Sequence, residues 1–194
     1  MRGFSIMAKK LIEPGPFIVP MPLVLVGAAI EGKANFMPAA FVGIVNFKPA
    51  TIVCGLNPEH RTSQIIEQTG EFSINLPTPS MVEAADHCGL VSGTKVDKSK
   101  VFPTFTGRET AAPMIRDCPL TAECKLINNV PLAGDTVYFG EIVAVYAEED
   151  VLADDKVDWL RINPLLFTFP KPSYWRLGEY IAPAWQVGKK YKGE

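Results

Sequence analysis

Two short clusters carry residue types that could act together on a ligand. Arg61, Thr62 and Ser63 stand just ahead of a stretch with helical apolar spacing, so the free N–H groups of a starting helix, two hydroxyls and a guanidinium fork would converge on one phosphate-sized anion. Plain helix capping suits the same residues. Ser92 and Gly93, with Asp97 and Lys98 close behind, join a glycine that permits a tight loop to a compact cation, and they also read as an ordinary solvated charge pair. A third segment, Asn35, Phe36, Met37, Pro38, Ala39, Ala40 and Phe41, sets small residues beside a proline. Backbone there could approach a flat ring closely and read its polar edge, or could simply pack well in a hairpin.

Other chemistries find little support. Cys54, Cys88, Cys118 and Cys124 form no CxxC pair and have no spaced histidine partner, which argues against a zinc site or a redox dithiol. They read as small buried apolar residues of a reducing compartment, with Cys88 the candidate for a thiol near a ligand. Only His60 and His87 could serve as an imidazole base, no GxSxG elbow is present, and GTK at 93–95 lacks the upstream glycine of a phosphate loop. His87 falls near a helix end, where capping or a surface position is the commoner role. GxGxxG is also missing.

The elements that must position these residues are mostly strands. Seventeen prolines and fifteen glycines interrupt short apolar segments over 194 residues, a texture of β-structure with a few helices. Residues 22–30 predict a strand that turns at Glu31, Gly32 and Lys33, with 35–45 returning antiparallel. Residues 51–56 predict a third strand, broken by Asn57 and Pro58. A helix should follow, with Thr62 or Ser63 as N-cap and Gly70 as its stop. Phe72, Ile74 and Leu76 alternate with Ser73 and Asn75, so Asn75 should point away from the core. Ser80 and Glu83 suggest a capping box opening a helix that stops before Gly89. Residues 100–118 read as a long surface excursion, and 120–127, 136–147, 156–162 and 165–169 as four further strands. No βαβ rhythm appears, which argues against a doubly wound sheet; seven or eight short strands imply a closed or partly closed antiparallel barrel.

Bulk composition sets the outer bounds. Hydrophobic residues make up 47% and charged residues 21%, and 19 basic against 21 acidic residues give a net charge of −2. A single sizeable core is expected, and no strong field draws the chain to nucleic acid or membrane. The first sixteen residues lack the apolar core of a signal peptide and the run at 23–30 is too short to span a bilayer, so a cytoplasmic location is expected.

PLVLVGAAIEGKANFMPAAFVG, TSQIIEQTGEFSINLP, CGLVSGTKVDK and the late GEIV occur in this order along most of the chain. Together they resemble the flavin reductase-like, FMN-binding split-barrel family, and within it the flavoredoxins. The resemblance implies a mainly β fold, an FMN-binding split β-barrel that is antiparallel and Greek-key-like with a few flanking helices. It implies a domain over 1–170, with an aromatic-rich tail over 171–194 packing on the barrel or on a dimer partner. FMN would be the cofactor: residues 35–41 would line the isoalloxazine, Arg61, Thr62 and Ser63 would meet the phosphate, and Asn75, Ser92, Gly93 and Lys98 would complete the site. Phe169 or a neighbour would cover one flavin face, although core or dimer packing is the default role for the C-terminal aromatics. No side chain need act as acid or base, since the flavin carries the chemistry.

The activity implied is that of an NAD(P)H:FMN oxidoreductase, with NAD(P)H or a small redox protein as donor and a homodimer as the assembly. A pure electron carrier without a nicotinamide site, and a split barrel that takes free flavin as substrate, stay open beside it. Many relatives carry a histidine in the turn before the late GE strand; here Gly134, Asp135 and Thr136 occupy it, so that histidine's role does not transfer.

Overall fold

The computed structural model describes residues 9–193. Its centre is a seven-stranded antiparallel sheet made of β1 (Val24–Ile30), β2 (Lys33–Ala39), β3 (Val42–Phe47), β4 (Ala50–Leu56), β5 (Glu71–Leu76), β6 (Leu120–Pro131) and β7 (Thr136–Ala147). The spatial order is β2-β1-β5-β6-β7-β4-β3. The two edge strands are therefore consecutive in sequence, and the sheet curls until the link between them, Ala40 and Phe41, bridges its own seam. Gly55 N donates to Phe41 O at 2.8 Å, which carries the β3–β4 pairing into that link. The mainly β split barrel implied by the resemblance is the fold observed.

Local sequence explains the main features. Ile30 pairs with Lys33, and Glu31 and Gly32 both take positive φ, 51° and 74°, the conformation that matches hairpin twist. Pro38 is tolerated in β2 because β2 is an edge strand with no second neighbour needing its N–H. β1 reads as a continuous apolar run because both its faces are covered. Val24, Val26 and Ala28 face the barrel interior with Ile52, Phe72, Cys124 and Tyr138. Leu25 faces outward with Phe36, against Met81, Ala85 and Cys88.

Two helices flank the sheet. α1 (Arg61–Thr69) is N-capped by His60 rather than by Thr62 or Ser63, and Gly70 ends it at φ 71° with its N–H on Ile66 O. α2 (Val82–Leu90) is preceded by a 3-10 turn, Pro79–Met81. The expected capping box is not formed: the Ser80 hydroxyl bonds Thr78 instead, and α2 runs through Gly89 rather than stopping before it.

Three other expectations are corrected. The return strand over 35–45 is two strands, β2 and β3, split at the seam. Residues 100–118 are no loose excursion, because a hairpin of Thr104–Thr106 and Pro113–Ile115 lies over β5 and buries Met114 and Ile115. Asn75 does point away from the barrel interior but is fully buried beneath that hairpin. Residues 156–162 form only the two-residue strand Lys156–Val157 before the helix α3 (Trp159–Ile162), since the Asp158 side chain accepts from Leu160 N at 2.9 Å and starts a helical turn. Beyond the barrel, Leu166–Thr168 pairs with Met21–Pro22 and with Ser173–Trp175, so the C-terminal tail begins as a strand of a small three-stranded sheet.

Candidate functional site

A crevice runs along the open edge of β2 as three connected hollows. The first, of about 290 Å³, lies between β2, the start of α1, the end of α2 and the loop after it. Asn35, Arg61, Gly93 and Lys98 also line the second, of about 320 Å³. Met37, Pro38 and His60 also line the third, of about 270 Å³, which carries Phe41, Phe167, Phe169 and Tyr174 on its sides.

Asn35 joins the walls of the first hollow. It is buried on β2, and its Nδ2 donates to Thr62 Oγ1 at 2.7 Å, which locks the first turn of α1 to the sheet. A Cβ on Gly93 would collide with the Asn35 carboxamide, so glycine lets the loop lie directly on β2. A Cβ on Gly89 would come within 3.0 Å of Pro38 Cγ, and the end of α2 is similarly close-fitting.

Lys98 fixes the loop from the other side. Its Nζ donates to Cys88 O at 2.7 Å and to Phe36 O at 3.1 Å, and only 4% of the residue is exposed. Burial lowers its pKa, with the nearby Cys88 thiol opposing. Burial likewise raises the pKa of the Cys88 thiol, while the Lys98 charge works against that rise. Asp97 does not position Lys98; it caps the 3-10 turn Lys98–Lys100 through Ser99 N.

The start of α1 is open. No side chain caps it at His60, and Arg61 and Thr62 line the first hollow. First-turn N–H groups, the helix dipole and a guanidinium are thus set on a cavity wall. This donor set fits a phosphate dianion. The third hollow is mainly apolar at its far end: Phe41 and Phe169 stand with ring centroids 6.2 Å apart, and Phe169 meets Phe167 edge-on at 5.0 Å. The Tyr174 hydroxyl donates to Asp86, tying the tail strand to α2.

Of the residues expected from sequence, Asn35, Met37, Pro38, Ala39, Ala40, Phe41, Arg61, Thr62, Ser92, Gly93, Lys98 and Phe169 line the crevice. Three do not. Phe36 is fully buried against Phe102 on the other side of β2, because alternation along the strand turns it away from Asn35 and Met37. Ser63 is buried, with its hydroxyl donating to Asn57 O at 2.8 Å. Asn75 is consumed in holding the outer hairpin: its Nδ2 donates to Leu25 O and its Oδ1 accepts from Ile115 N. Sequence reading missed His60, which borders both the first and third hollows, although its place directly before Arg61 was the available signal. Cys88 does line the first hollow, whereas His87 is exposed and does not.

The barrel and the crevice define a class. This chain belongs to the family of the flavin reductase like domain, which matches residues 17–173. Among solved structures it is similar to the flavoredoxin of Methanosarcina acetivorans, with 42% identity, a TM-score of 0.90, and coverage of 94% of this chain and 98% of that one. It is also similar to the flavoredoxin of Desulfovibrio vulgaris (Miyazaki F), with 31% identity, a TM-score of 0.88, and coverage of 93% and 100%. An FMN-binding protein from Thermus thermophilus, crystallised with p-hydroxybenzaldehyde, is 25% identical with a TM-score of 0.77 over 94% of this chain and 100% of its own. Among the described residues no helix is long and apolar enough to cross a membrane.

Proposed function

We propose that the protein binds FMN along this crevice and passes electrons through it, as an NAD(P)H:FMN oxidoreductase of the flavoredoxin type. The carrying observation is the uncapped start of α1, with Arg61 beside it, opening on a cavity that continues into an aromatic-sided hollow. Family membership and the FMN-binding relative support the same ligand.

In this reading the first-turn N–H groups of α1 and the Arg61 fork hold the phosphate, and Asn35 keeps the Thr62 hydroxyl turned toward the sheet. Met37, Pro38, Ala39 and Ala40 offer a low wall for the ring, and Phe41, Phe169 and Tyr174 keep water from its far end. Bound FMN supplies a centre that accepts a hydride and releases one or two electrons. The protein contributes placement and exclusion of water.

The reading includes a homodimer. Its support is the exposed apolar surface of the tail, where Ile181 is 95% and Trp185 92% exposed, far more than a solvated segment needs. The expected location, in the cytoplasm, goes with a donor of the nicotinamide class.

Mass spectrometry of cofactor released from the purified protein tests the ligand: FMN is expected, and a population dominated by FAD, or a colourless chain that takes up no flavin, overturns the reading. Anaerobic addition of NADH and NADPH tests the donor. Bleaching of the flavin absorbance by either one supports an oxidoreductase; an FMN-loaded chain that neither one bleaches is a carrier fed by a protein partner.

A further inference from the structure

Among the buried side chains that fill the barrel interior, Tyr138 alone carries a hydroxyl. It is fully buried on β7, where a phenyl ring would fill the same space, so packing does not explain the oxygen. The ring shares one cluster with Ile65 and Ile66 of α1, and the hydroxyl donates to Glu67 Oε1 of the same helix at 2.7 Å. Burial first, and then the Glu67 carboxylate, push the Tyr138 pKa up to about 12, so the group stays a donor.

α1 needs such a tie. Ile65 and Ile66 hold it by apolar contact, which has no preferred direction, and a helix held only in that way is free to roll, which re-aims every first-turn N–H group. Asn35 restrains the roll through Thr62 from β2, an edge strand. Ser63 and Glu67 stand one turn apart on another face, turned by about 100° from Thr62. Tyr138 restrains that face from β7, which β1, β5 and β6 separate from β2 in the sheet. The Ser63 hydroxyl donates to Asn57 O at 2.8 Å and adds the segment ahead of α1 to the same seam. Two directional anchors from different walls of the barrel settle the roll, where either one alone leaves a pivot.

We infer that Tyr138 is a positioning residue for the phosphate site: acting through Glu67, it sets the roll of α1 and so aims the first-turn N–H groups and Arg61 into the first hollow. Neither Tyr138 nor Glu67 lines any of the three hollows, so the pair acts on the ligand only through the helix. Its effect falls on the phosphate and spares the ring, which rests on β2. The inference rests on the FMN reading above.

The test compares FMN with riboflavin, which has the same ring and ribityl chain without the phosphate, in fluorescence-quenching titrations of the full-length apoprotein. Tyr138→Phe and Glu67→Ala should each weaken FMN binding by about fivefold and leave riboflavin within about twofold, which also shows that the variants fold. The double variant should lose no more than either single one, because the two act as one unit. Glu67→Gln keeps an acceptor oxygen and should recover most of the FMN affinity. Equal losses for FMN and riboflavin, additive losses in the double variant, no recovery in Glu67→Gln, or unchanged FMN affinity overturns the inference and leaves the FMN reading intact. A wild-type chain that binds FMN no better than riboflavin removes the phosphate reading itself, and the inference with it.

Discussion

Lys98 donates to two backbone carbonyls on different elements, so its first effect is to hold the end of α2 and the following loop against β2. Lys98→Ala should weaken FMN binding by roughly ten- to a hundredfold, the loss of a charge-assisted contact, and should also lower stability because two buried carbonyls lose their donor. Lys95→Ala, on the exposed part of the same loop, should leave FMN affinity nearly unchanged. Equal small effects in parallel FMN titrations would leave Lys98 as a clamp on the loop with no part in holding FMN. Gly93→Ala should act through Asn35: the new methyl must displace the loop or break the Asn35–Thr62 bond, so FMN affinity should drop by about tenfold. Arg61 and Thr62 were legible because a helix start announces itself in sequence. The second role of Asn35 as a clamp was not, since its partners lie 27 and 58 residues away.

Glu123 is a fully buried carboxylate on β6. Burial would raise its pKa, but the Tyr146 hydroxyl, the Thr110 hydroxyl and N–H, and Arg108 N donate to it and hold it below its ordinary value. A folded pKa below the unfolded one means its stabilisation is present above about pH 4.3, the usual glutamate value, and is lost as pH falls through the folded pKa. Glu123→Gln should cost about 3 kcal/mol near neutrality and flatten the acid limb of the stability profile. Urea midpoints across that range check this, and an unchanged acid limb would remove Glu123 as the acid-sensitive anchor.

At the scale of elements, periodicity identified what is amphipathic and failed where tertiary contacts decide. α1, β5 and the β1–β2 hairpin were readable because their apolar spacing, glycine stop and turn residues agree with one another. The 100–118 segment misled because its buried residues pack through a short hairpin anchored on Ser73, Asn75 and Glu123, none of which is local. Residues 156–162 misled because an Asp158 cap outweighed β-propensity over one turn. The tail strand Ser173–Trp175 was read only as an aromatic cluster. Its attachment through Tyr174 to Asp86, with burial and that carboxylate pushing the Tyr174 pKa up to about 12, makes it a cover for the third hollow. Truncation before Pro170 should therefore loosen FMN, and Tyr174→Phe should do so by a smaller factor, about three- to tenfold. Fluorescence titration of both variants against wild type measures this; full retention of FMN by the truncated chain would free the tail from the site.

For the molecule as a whole, the proposed homodimer predicts a light-scattering mass of about twice the 21.2 kDa chain. A monomer that keeps its FMN fully bound would sink that arrangement. The seam between β2 and β3 has a further consequence, which lies in time. Those two edges are neighbours in sequence, yet β1, β5, β6, β7 and β4 must be assembled in between before the sheet can curl back onto them, and β6 begins 44 residues after β5 ends. Contacts of such long range make folding slow. A ribosome must release β7 before the crevice has its final width, so flavin uptake should follow barrel closure rather than guide it. Stopped-flow refolding in the presence of FMN should then show fluorescence quenching that trails the recovery of β-sheet circular dichroism, with a rate of closure that does not change when FMN is raised.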